Sequence, residues 1–207
     1  MNISRSMNLI VPAETEAGTV YIHSTPISKE IYRQHFFILS KTFAGIFSEG
    51  LGVVAGPRIA YMMLEKCAID AKNWDGATGV KNTLVNEIIR MSSVVYPVEG
   101  KGWDTIPLDV AIDRDLIDID EVIGEIVFFI CVYAINKPAQ AEGVMTAANG
   151  LWGSAITSLN PTEWAGSLQT LKPTDSSGET ENTSSAISST TAPEKESEIS
   201  LSNQVPT

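Results

Sequence analysis

A mainly α-helical domain with a small N-terminal β-hairpin and a disordered C-terminal tail is the fold class this sequence predicts. Three observations predict it. Apolar residues recur at helical spacing over most of residues 28–168. Only two short β-type runs, Met7–Val11 and Thr19–His23, precede them. Near Leu171 the chain changes character: the 36 residues Lys172–Thr207 hold nine Ser and six Thr, one Leu and no aromatic residue. Such a segment buries too little apolar area to offset the entropy of ordering it. The expected organisation is therefore a flexible stretch 1–6, a domain over 7–171 and a tail over 172–207.

The elements follow in order. The hairpin turns through Pro12–Gly18. Ser28 caps a helix that runs to about Ser48 and turns Ile31, His35, Ile38, Leu39, Thr42, Phe43 and Ile46 to one face; Gly50 ends it. Gly56-Pro57 opens the next, with Pro57 at its first position, running to about Lys72. A third helix is expected over Val80–Val95, stopped by Tyr96-Pro97, and a Gly-rich loop over Pro97–Asp104. A short helix follows Pro107. Asp118 or Asp120 caps a helix Glu121–Ile135 that is apolar nearly all round, which places it at the centre of the fold. Pro138 begins a helix rich in Ala and Gly that runs to about Leu159, and Asn160-Pro161 caps a last short one.

Composition narrows the function. The net charge is −11, of which the tail contributes −4. Without a basic stripe, binding to nucleic acid or an anionic membrane is disfavoured. Cys67 and Cys131, the two cysteines, lie in apolar helical patterns as reduced thiols, which favours the cytosol over an oxidising compartment. The longest apolar run, Ile126–Ile135, is too short to span a bilayer, and Met1–Val11 lacks the apolar run of a signal peptide.

Catalytic and metal chemistry leave no recognisable pattern. His23 and His35 sit at a strand end and on an apolar helix face. Gly50, Gly52 and Gly56 are followed by no Lys-Ser/Thr pair, so they punctuate helices and do not form a phosphate loop. The acidic run Asp109, Asp113, Asp115, Asp118, Asp120, Glu121 is interrupted by Leu116, Ile117 and Ile119 and lacks the glycine a calcium loop needs. Helix capping explains it more simply than a cation site or a hydrolase. No catalytic, metal or cofactor-binding residue is assigned.

Three stretches, Ser48–Arg58 (SEGLGVVAGPR), Gly102–Leu108 (GWDTIPL) and Leu151–Trp164 (LWGSAITSLNPTEW), together resemble the tail assembly chaperones of tailed bacteriophages. The run Thr157-Ser158-Leu159-Asn160 through Trp164, ahead of a Ser/Thr-rich tail, is the most specific of them. The resemblance implies a non-enzymatic protein of the host cytoplasm that binds the tape-measure protein, assists tail-tube assembly and has no cofactor. A virion structural protein and a generic helical adaptor are the alternatives. A chaperone needs an exposed apolar groove. Trp152, Trp164, Leu168 and Leu171, aromatic and aliphatic residues ahead of the tail, are the expected partner-binding residues.

Overall fold

The computed structural model describes residues 7–16 and 18–168. Leu171, the segment 1–6 and the tail 172–207 lie outside the described residues.

The order of elements is β1 (Asn8–Thr15), β2 (Gly18–Ser24), α1 (Lys29–Ser48), α2 (Gly52–Asp70), a π-helical turn (Lys81–Val85) running into α3 (Asn86–Arg90), β3 (Ser92–Val98), β4 (Gly102–Pro107), α4 (Leu108–Asp113), α5 (Ile119–Ile135), α6 (Pro138–Trp152), β5 (Ala155–Thr157) and α7 (Pro161–Ser167). The strands form one antiparallel sheet in the order β4-β3-β2-β1-β5. This is a mixed α/β fold, which corrects the mainly α expectation. The hairpin is present, but it is the centre of a five-stranded sheet and not an appendage.

Three segments account for the difference. Ser92–Val98 is a strand, not the end of a helix: α3 stops at Arg90, and Val94 and Val95 pair with Ile22 and Tyr21 of β2. β-Branched and aromatic residues suit that buried, pleated position. Pro97, read as a helix stop, is tolerated because β2 pairs with β3 only as far as Val95. The expected loop supplies a tight turn at Glu99–Lys101 and then β4, whose Trp103 lies opposite Pro97. The Ala/Gly-rich helix ends at Trp152, where Gly153 adopts φ 72°. Residues 155–157 then join the sheet beside Asn8–Ile10. The other correction is the start of α2 at Gly52, which leaves Pro57 inside the helix.

The two faces of the sheet differ. Leu9, Val11, Ala13, Val20, Ile22 and Val94 point to the helical layer, and α5 packs on β1. Residues Val122 to Ala134 of α5 are buried except Glu125, so this helix is central, with α1, α2 and α6 around it. Burying each of its large side chains contributes roughly 1.5–3 kcal/mol. Gly124 permits the closest approach: a Cβ there would lie 2.5 Å from the Pro57 carbonyl oxygen.

The opposite face carries Ile10, Tyr21, His23, Val95 and Trp103, and α7 lies across β3 and β4. Asn160 caps α7 in the expected way: its Oδ1 accepts from Glu163 N at 2.9 Å, and Glu163 Oε2 accepts from Asn160 N at 3.0 Å. The turn before it is clasped by the sheet. The Leu159 carbonyl accepts from Asn8 Nδ2 at 2.9 Å and from His23 Nε2 at 2.8 Å.

Candidate binding cleft between α2, α5 and the end of α6

A cleft of about 370 Å³ opens where α2 and α5 diverge from their contact at Pro57 and Gly124. Arg58, Tyr61, Met62 and Glu65, three and four residues apart on one face of α2, form one wall. Asp120, Glu121 and Glu125 of α5 form the other, with Ile123 and Gly124 at the base. Trp152, the last residue of α6, closes one end.

The Trp152 indole is fixed by donating to the Val53 carbonyl at 3.3 Å. That carbonyl lies four residues before Pro57, which has no N–H to return to it. Tyr61 is held from behind by an edge contact with Trp74, ring centroids 6.1 Å apart. Trp74 is therefore buried, although the sequence places it in a polar loop. Asp118, just outside the cleft, is the N-cap of α5 and accepts from Asp120 N at 3.0 Å.

The electrostatics are one-sided. Four carboxylates face the Arg58 cation. Burial raises Glu125 to about 7, and a hydrogen bond from Ser154 opposes that shift. Burial and then the charges of Glu65 and Asp120 push the Tyr61 hydroxyl up. Among the described residues no three His, Cys, Asp or Glu groups converge closely enough to hold a metal ion. The cleft thus combines negative charge with apolar and aromatic surface.

Apolar side chains continue outside it. Met62 is 58% exposed, Val54 70% and Leu151 62%. Val54 and Leu151 are the chain neighbours of the hydrogen-bonded pair Val53 and Trp152. On α1, Phe37 is 73% exposed and Phe36 is exposed beside it.

The expected binding residues are divided between two places. Trp152 lines the cleft. Trp164, in α7, meets the edge of Tyr21 at 6.3 Å, and Tyr21 also contacts Trp103 at 5.5 Å. Leu168 is the partly buried C-cap of α7, and Leu171 lies outside the described residues. The sequence reading missed Arg58, Tyr61, Met62, Glu65 and Glu125. Glu125 had a visible signal, since it is an acid inside an otherwise apolar helix.

The remaining candidates are committed elsewhere. His23 is fully buried, and because a carbonyl only accepts, its hydrogen sits on Nε2. His35 Nε2 lies 2.8 Å from Thr83 Oγ1, whose own hydrogen goes to the Gly79 carbonyl, so His35 donates as well. Burial lowers the pKa of both histidines. Both cysteines are buried, and burial holds the Cys131 thiol far above the usual range. A second hollow, about 290 Å³, lies between Thr15, Val20, Tyr96 and Leu116.

No family model matches the chain, and comparison with curated proteins and with solved structures finds no match. Among the described residues no helix is long and apolar enough to cross a membrane.

Proposed function

We propose that this protein is a non-enzymatic binder of helical, aggregation-prone segments. Its role is that of a tail assembly chaperone which holds the phage tape-measure protein in the host cytoplasm while tail-tube subunits assemble. The observation that carries the reading is the cleft with its apolar surroundings: Met62 and Trp152 within it, Val54 and Leu151 beside it, all on helices. An amphipathic helix laid into a groove is recognised by this kind of surface. Two of the three stretches that resemble the chaperones, Ser48–Arg58 and Leu151–Trp164, meet there through Trp152 and Val53.

The test is co-expression with a phage tape-measure protein, followed by affinity capture. The tape-measure protein is expected in the soluble fraction with the wild type and in the pellet with Met62→Glu. That substitution changes an exposed side chain and leaves the core intact. Equal capture by the variant would remove the cleft from the reading. An insoluble, uncaptured tape-measure protein with the wild type would remove the chaperone role.

A further inference from the structure

We propose that the cleft receives the cationic end of a lysine or arginine side chain from the bound helical segment, with Glu125 as its counter-charge. This inference rests on the reading of the cleft as a partner-binding surface and names the chemistry it recognises.

Charge complementarity selects the occupant. Glu65, Asp120, Glu121 and Glu125 outnumber Arg58 along the walls of the cleft, so a cation is complementary to it and an anionic ligand is not. The carboxylates do not converge as metal ligands do among the described residues. A diffuse organic cation therefore fits better than a bare ion. The rest of the lining suits a long side chain: Met62 and Ile123 are apolar partners for a methylene stem, and Tyr61 and Trp152 are aromatic residues of the kind that attract a cation. The volume, about 370 Å³, lies at the small end of the roughly 300–1,000 Å³ typical of ligand pockets.

Glu125 makes the interaction sensitive to pH. With no cation beside it the Glu125 carboxyl, raised by burial to about 7, is part protonated near neutrality. The groups around it are Arg58, Tyr61 and Glu65 from α2, Asp120 and Glu121 from α5, and the Ser154 hydroxyl beyond α6. A cation favours the carboxylate, so binding expels a proton. Affinity then rises with pH, roughly tenfold between pH 6 and pH 8, and levels off above.

The experiment uses a capped Leu/Ala amphipathic peptide with one central lysine, and the same peptide with norleucine in its place. Both are titrated into the full chain by calorimetry at pH 6 and pH 8, in buffers of different ionisation enthalpy. The lysine peptide is expected to bind more tightly, to strengthen with pH and to release a proton; the norleucine peptide shows no pH dependence and releases no proton. Glu125→Gln, close in shape, abolishes the pH response. Glu65→Gln weakens the lysine peptide at both pH values and keeps the response. Equal behaviour of the two peptides, failure of both to bind, or a pH response that survives in Glu125→Gln would overturn the inference. Capture of the tape-measure protein is read separately: capture without lysine preference sinks this inference alone, whereas lost capture sinks the chaperone reading.

Discussion

The indole of Trp152 donates to the carbonyl of Val53 at 3.3 Å, the carbonyl that the ring of Pro57 leaves without its helical partner. A side chain at the end of α6 thus completes the backbone bonding of α2, which lets α2 run unbroken from Gly52 to Asp70 and shapes one end of the cleft. Trp152→Phe keeps most of the ring and loses the donor, at an expected cost of about 1 kcal/mol. In a Pro57→Ala background the N–H is restored and that cost should shrink. A double-mutant cycle by urea denaturation measures the coupling; simple additivity of the two substitutions would show that the indole bond does not stand in for the N–H that Pro57 lacks.

Gly124→Ala tests the helix crossing. Its Cβ would stand 2.5 Å from the Pro57 carbonyl oxygen and 3.0 Å from that of Arg58, both backbone atoms that cannot swing away. The helices must separate, at an expected cost of about 3 kcal/mol. A denaturation midpoint equal to the wild type's would mean that α2 and α5 do not meet this closely.

The α7 cap is separable from the core. Asn160→Ala removes the acceptor for Glu163 N and is expected to cost about 1 kcal/mol. Because Trp164 packs on Tyr21, the loss should also appear as a change in tryptophan emission. Unaltered emission and stability would show that α7 is held by its sheet contacts alone.

Stability should respond to pH through groups of opposite sign. Burial holds the folded pKa values of His23 and His35 below the ordinary 6.5, so the unfolded chain binds more protons in that range. Their contribution is complete above about 6.5 and is lost on acidification below it. Glu125 is raised from 4.5 to about 7, so its contribution is complete below 4.5 and is lost as pH rises through 7. Thermal melts of Glu125→Gln should therefore exceed the wild type at pH 8 and approach it near pH 5. Identical pH profiles for the two proteins would contradict the raised titration of Glu125.

Much of the helical layer was legible from local signals. Ser28, Asp118 and Asn160 cap the helices expected to follow them, because capping depends on residues within one turn. α5 is central because a helix without a polar face has no stable place at the surface. The cleft was only partly legible: Trp152 stood out by type, whereas Arg58, Tyr61, Met62 and Glu65 look like an ordinary solvated face until α5 and α6 are set against them.

The sequence by itself determined the starts of α1, α5, α6 and α7, the identity of the buried helix, the first hairpin and the acidic charge balance, since the local signals lie within the segments themselves. Only the tertiary structure decided that Ser92–Val98, Gly102–Pro107 and Ala155–Thr157 are strands and that α2 passes through Pro57. A strand is completed by a partner distant in the chain: Ser92–Val95 needs Tyr21–Ser24, and Ala155–Thr157 needs Asn8–Ile10. Pro57 needs the indole of a residue 95 positions later. Hydrogen bonds made across that separation leave no periodicity in the segment itself, so local pattern cannot reveal them.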